Sequence, residues 1–254
     1  MLAGAIAALA VFISATAVRD TIARRARNEA RVARDTILSE DDIARGTVHK
    51  ALALDGVHQS VSPAELRRRV DNLSSGTYMN DILAEQDSTL YRWPDRLGDA
   101  LRVYVEPTSE LATWSPQYPQ IAREVFDEWS EAGFPLRFTF ILDSTDADIS
   151  IRWIDRFPPA EGQRIGVTER TQGSDYLIAR ARVDVALHDS VGRPLAPVVI
   201  GGIIRHEVGH ALGLNHSSDP SSVMYREAAT LVIGPSDRAT LRTLYLVPAG
   251  SLKN

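Results

Sequence analysis

The stretch Ile203–Tyr225 reads IIRHEVGHALGLNHSSDPSSVMY, and the rest of the chain is best read outward from it. Positions four apart on a helix lie on one face, so a helix here brings the imidazoles of His206 and His210 to one point. Gly213 is the residue best able to take a left-handed conformation, end that helix and turn the chain. After the turn, His216 can return as a third nitrogen donor. Three imidazoles at one point are the donor set of a zinc ion that keeps a fourth position open for water. Glu207, beside the first of them, is placed to take a proton from that water. Five fixed residues across the motif make it far more specific than a bare H-E-x-x-H.

Composition narrows the setting. The chain has 254 residues, 44% hydrophobic and 24% charged, which fits one catalytic domain plus an N-terminal extension. A net charge of −5 favours neither nucleic acid nor membrane as a bulk partner. There is no cysteine, which excludes disulfides, thiolate metal ligands, a cysteine nucleophile and an inhibitory thiol.

The N-terminal part divides at its charges. Leu2 to Val18 is an uncharged apolar run, readable as a secretory signal with a small-residue site at Ala15-Thr16-Ala17 or as a membrane anchor. Either reading makes the protein exported (periplasmic, secreted or membrane-anchored), and the alternative is a cytosolic chain with an apolar helix. The arginines that follow, from Arg19 to Arg34, pull the other way under the positive-inside rule. Arg19 to Asp42 reads as a polar helix, and His49 and His58 as solvated loop histidines. Ser62-Pro63-Ala64-Glu65 has the cap, first-turn proline and acidic third position of a helix start, continued by Leu66, Val70 and Leu73. A short helix covers Tyr78 to Gln86. The divisions expected are 1–18 as signal or anchor, 19–95 as helical linker or propeptide, and 96–254 as the catalytic domain.

From Trp93 onward, alternating runs read as strands over Leu101–Glu106, Leu136–Leu142, Asp148–Ile154, Ile165–Thr171 and Tyr176–Leu187. The turn between the last two falls at Gln172–Asp175. Tyr118 to Ala132 is an amphipathic helix with Ile121, Val125, Phe126 and Trp129 inward and Gly133 at its end. Pro197 to Leu212 is a buried helix. Pro235 to Tyr245 is a further helix, capped by Ser236, with Ala239, Leu241, Leu244 and Tyr245 inward. The order predicts an α+β fold: a twisted, mixed five-stranded sheet with the histidine helix on one face and a C-terminal helix.

H-E-x-x-H-x-x-G-x-x-H followed by a methionine turn is the metzincin signature. Within that group the chain resembles the matrixins. The resemblance rests on Ser217 directly after His216, on Asp219-Pro-Ser-Ser-Val-Met-Tyr225, on Ala147-Asp-Ile-Ser-Ile151, and on Pro235-Ser-Asp237 to Leu244-Tyr245. It implies a zinc endopeptidase acting on protein or peptide substrates. One catalytic Zn2+ would sit on His206, His210 and His216, with Glu207 as general base and Met224 as a hydrophobic floor. It further implies a substrate pocket beside Tyr225, an edge strand near Ile165–Thr171 that binds an extended peptide, and a buried ion pair for Asp237. A plain helix-start charge is the competing role for Asp237.

The chain also departs from the family. Only His188 remains in the catalytic half outside the motif, so no structural zinc is expected. Calcium is open but without support: Asp143, Asp146, Asp148, Asp184 and Asp189 read first as surface or turn carboxylates. Arg226 stands where matrixins commonly carry proline, which alters the pocket wall. The alternative function is a zinc-binding domain that recognises peptide or cell-wall polymer without cleaving it; the intact Glu207 weighs against it.

Overall fold

The computed structural model describes residues 61–253 apart from Leu97, Ala228 and Ala229, with Pro159 described by its backbone alone. The apolar run Leu2–Val18, the helix expected over Arg19–Asp42, and His49 and His58 lie outside those residues.

Helix α1 (Pro63–Leu73) begins as its sequence dictates. Ser62 Oγ accepts from the Glu65 amide at 3.3 Å, and Pro63 sits where the helix needs no amide donor. Leu66 and Val70 are buried, whereas Leu73 reaches the surface. Helix α2 (Met79–Glu85) buries Met79 and Ile82. Strand β1 (Thr89–Leu90) follows, and then β2 (Leu101–Val105), which alternates with Leu101, Val103 and Val105 inward.

Helix α3 (Gln117–Ser130) buries Tyr118, Ala122, Val125, Phe126 and Trp129; Ile121 is only half-buried. Gly133, at φ +75°, turns the chain away. The next strands are β3 (Phe138–Ile141), β4 (Ile149–Ile154), β5 (Gly166–Gln172) and β6 (Ile178–Ala186). Helix α4 (Pro197–Ala211) carries the motif, α5 (Pro235–Leu246) follows, and β7 (Gly250–Ser251) ends the chain, pairing antiparallel with β1.

The main sheet is five-stranded, in the order β3-β2-β4-β6-β5. Its first four strands are parallel, and β5 alone runs antiparallel, at the edge. This is the mixed α+β sheet expected from the element order. Helix α4 packs against β5 and β6, and α3 against β2 and α4. The Trp129 indole N–H donates to the Arg205 carbonyl at 3.1 Å, tying α3 to α4.

The start of α5 differs from expectation. Its cap is Gly234 rather than Ser236, because the Asp237 carboxylate reaches back to the Gly234 amide at 2.7 Å and Ser236 already lies inside the first turn. Leu241, Leu244 and Tyr245 face inward as expected; Ala239 is half-buried, and Thr240 and Thr243 are buried instead.

The core continues through the N-terminal segment. Leu66, Val70, Met79, Ile82, Leu90 and Trp93 belong to the same buried cluster as Val208, Leu212 and Leu244. Each such side chain contributes about 1.5–3 kcal/mol relative to exposure. The Trp93 indole also donates to the Ala211 carbonyl at 2.8 Å, at the end of the motif helix.

Candidate metal centre

The spacing of the motif works out in space as it does on paper. His206 and His210 project from one face of α4, and Gly213, at φ +107°, reverses the chain. A Cβ on residue 213 would stand 2.7 Å from the backbone oxygen of Tyr91, so glycine is needed here for both conformation and room. Beyond the turn, His216 joins the pair, and ligand atoms of all three rings lie within 4.8 Å of one another.

The outer nitrogens fix the tautomers. His206 Nδ1 is 2.7 Å from the Val223 carbonyl and His210 Nδ1 is 2.9 Å from the Leu214 carbonyl. A carbonyl can only accept, so each Nδ1 carries the proton and each Nε2 presents a lone pair. Burial moves His206 below the usual imidazole range and His210 well below it, which keeps both rings neutral. Their Nε2 atoms stand 3.1 Å apart with no proton between them. Two nitrogens held 2.0–2.1 Å from one tetrahedral ion would be about 3.3 Å apart. The donor set and its spacing therefore fit zinc.

His216 is oriented differently. Its Nδ1 donates to Glu85 Oε1 at 2.7 Å and its amide to Glu85 Oε2 at 2.9 Å. Burial alone would raise the Glu85 carboxyl; the two bonds from His216, with Arg226 nearby, outweigh it and hold the group below the ordinary range. Arg226 donates to the same carboxylate at 2.6 Å.

Glu207 lies against the edge strand. The Thr168 hydroxyl stands 2.7 Å from Glu207 Oε2 and 2.9 Å from its backbone carbonyl, sharing one proton between them. Burial pushes the Glu207 carboxyl up to about 7, while the Thr168 bond and the charge of Arg164 act in the opposite sense. The carboxylate and the three imidazoles line one open cavity of about 1010 Å³. One wall comes from Gln163–Thr168, another from Val199, Gly202 and Ile203 of α4, and a third from Val223, Arg226, Glu227, Thr230 and Leu231. Tyr225 is half-buried and is not among the residues lining this cavity.

Met224 is fully buried beneath α4, its sulfur pressed into the space left by the missing side chain of Gly209. The turn that carries it is tied down twice. Ser217 donates its amide to the Met224 carbonyl at 2.9 Å, and buried Asp237 accepts from the Val223 amide at 3.1 Å and from the Ser222 hydroxyl. Among the described residues, then, Asp237 is engaged by hydrogen bonds rather than by the ion pair expected from the resemblance.

Comparison with known proteins matches residues 100–246 to the family described as matrixin. The chain belongs to the matrixins. A stretch of 48 residues is 44% identical to matrilysin of Felis catus, covering 17% of this chain and 18% of that protein. Another of 53 residues is 43% identical to a protein of invertebrate iridescent virus 3 named as a matrix metalloproteinase, covering 20% of this chain and 15% of that one. The aligned stretches thus span under a fifth of either relative's length. Matrixins are zinc-dependent peptidases, and the mixed five-stranded sheet is consistent with their fold.

The carboxylates weighed for calcium have protein partners, with one exception. Asp148 accepts the Arg102 amide at 2.8 Å and faces the guanidinium groups of Arg96 and Arg102. Asp143 caps a turn through the Thr145 amide, Asp189 pairs with Arg193 at 2.7 Å, and Asp184 stands 3.4 Å from Arg182. His188 Nδ1 is 2.9 Å from Asp155 Oδ1. Asp146 has no hydrogen bond of its own among the described residues. Outside the matrixin motif, sequence reasoning did not single out Glu85, Thr168 or Gly166. Each acts through a contact that links distant parts of the chain, and no local spacing signals it.

Proposed function

We propose that the chain is a zinc-dependent endopeptidase. What carries the reading is that three imidazoles with free Nε2 lone pairs and the carboxylate of Glu207 line one cavity beside a sheet edge that is open among the described residues. His206, His210 and His216 hold the metal. Zinc bound there supplies a Lewis acid for the peptide carbonyl and brings the pKa of its water to about 7.

The protein's own groups do the rest. Thr168 engages Glu207 Oε2, leaving Oε1 to take the proton of the attacking water and return it to the departing amine. Strand β5 lines the cavity, and its outer edge is unpaired among the described residues, so an extended substrate can pair with its backbone across the imidazoles. Val199, Ile203, Val223 and Leu231 give the cavity an apolar side suited to one substrate side chain. Met224 underlies the centre as a packing residue, and Tyr225 belongs to the backbone of the same turn. An exported location follows the family's habit and the apolar run at Leu2–Val18. The same run is the segment that would serve as a membrane tether; among the described residues no helix is long and apolar enough to cross a membrane.

Purified protein tests the reading. Cleavage of casein or a quenched peptide is expected, and is lost on chelation and in Glu207→Ala while the variant keeps its zinc. Wild type that binds zinc stoichiometrically yet cleaves nothing would overturn it in favour of a binding-only domain.

A further inference from the structure

The segment 61–95 lies outside the stretch matched to the family, yet it supplies the contacts that fix the third imidazole. On α2, Asp81 and Glu85 are four residues apart and so share a face. Asp81 Oδ2 accepts the Ser218 amide and hydroxyl, each at 2.8 Å. Glu85 accepts both the amide and the Nδ1 proton of His216. His206 and His210 stand on a helix and turn to backbone carbonyls, whereas His216 stands in a loop. Among the described residues the one hydrogen bond to its ring is that with Glu85.

We propose that segment 61–95 is a permanent part of the working enzyme, a clamp on the His216 loop in which Glu85 is the positioning residue for that imidazole. It is not a removable inhibitory piece. The inference rests on the zinc reading of the site.

Two observations carry it. First, an inhibitory group must reach the Nε2 side, where metal and substrate meet, but Glu85 binds on the Nδ1 side. Among the described residues the cluster of potential ligand atoms at the centre contains the three histidines and no carboxylate. Second, the segment cannot leave without opening the core. Met79, Ile82, Leu90 and Trp93 are fully buried, and β1 is paired with β7. A carboxylate behind a metal-bound histidine holds the ring in its tautomer and raises its basicity, and loss of such a partner typically weakens metal binding 10–100-fold.

The test uses the full chain with Glu85→Gln and Glu85→Ala, reading zinc affinity by competition with a coloured chelator and the visible spectrum of the Co2+-substituted protein. Zinc affinity is expected to fall about 10–100-fold in Glu85→Ala and less in Glu85→Gln, which keeps an acceptor oxygen. The cobalt spectrum should change in both, with metal-free thermal midpoints close to wild type. Arg68→Ala, on the exposed side of α1, serves as a control that changes neither readout. Mass spectrometry of the active species should find Glu85 still present. Zinc affinity within twofold of wild type in both Glu85 variants would overturn the proposal, as would an active, zinc-loaded species lacking residues 61–86. If wild type itself takes up no zinc, the metal-centre reading falls, and this one with it.

Discussion

Gly166 and Glu207 occupy one space: a Cβ on residue 166 would stand 2.6 Å from Glu207 Oε1 and 2.8 Å from its Cγ. The edge strand therefore leaves out a side chain at the point where the carboxylate must sit. Gly166→Ala should push Glu207 from its place, reducing kcat/KM at least about tenfold, as expected when a catalytic group is misplaced by a fraction of an ångström. Zinc content should be unchanged. Wild-type rates in this variant would show that the carboxylate's position does not matter.

Thr168 holds the other carboxylate oxygen. Thr168→Val keeps the shape and removes the donor, so it should lower kcat by roughly three- to tenfold, the equivalent of one hydrogen bond worth about 1 kcal/mol. The KM of a peptide that pairs only with the backbone of β5 should hardly move. A change confined to KM would instead assign Thr168 to substrate binding.

Removing the metal should destabilise the fold. Without a cation, neutral imidazoles present lone pairs to one another at close range. Zinc that binds only the folded state adds about 4 kcal/mol when its free concentration is 1,000 times Kd. Tm should thus climb with free zinc and fall on chelation; a Tm indifferent to zinc contradicts the assignment.

Asp148 gives a pH signature. Burial alone would raise its carboxyl, but the side-chain and backbone bonds from Arg102 and those from Arg96 outweigh it and hold it below the usual range. A carboxyl lowered on folding contributes stability above its unfolded pKa of about 3.9 and loses it as pH falls through the folded value. Asp148→Asn should cost about 1–2 kcal/mol at pH 7, since both arginines are partly exposed and screened. In urea titrations the gap to wild type should close below pH 4. A gap independent of pH would mean that packing, not charge, is lost.

Gly213→Ala meets two obstacles, a left-handed φ and the unyielding Tyr91 backbone oxygen. It should cost at least about 2 kcal/mol in urea unfolding and weaken zinc binding through His216. A stable variant with normal zinc affinity would show that the turn relaxes freely.

Much of this was legible beforehand, for reasons that differ between elements. Ser62, Pro63 and Glu65 announce α1 because capping is local chemistry, and the strands declare themselves through alternation. His206, Glu207 and His210 are legible because helix geometry converts spacing directly into proximity. Glu85 was not, since its contact with His216 spans 131 residues and a lone glutamate on a short helix carries no pattern. Of the two roles expected for Asp237, the described residues show the one at the helix start: its carboxylate meets amides and a hydroxyl, and backbone donors leave no trace in the sequence. Ser236 was misjudged for the same reason, because the acid one residue later reaches the free amide first.

The open edge of β5 has a cost beyond catalysis. A strand edge that is unpaired among the described residues, and open to a substrate on the proposed reading, is equally available to another molecule of the same protein, the usual route to sheet-to-sheet aggregation. The composition of β5 counters this. Its second half exposes Glu169, Thr171 and Gln172 instead of large apolar residues, while Arg170 turns inward to the His210 carbonyl and Asn215, and its ladder to β6 slips at Thr171/Gln172. Glu169 is further engaged by Arg182 at 2.9 Å, which keeps a charge at the rim. On the proposed reading the strand stays open to a single passing peptide, while these residues make it a poor seed for fibres.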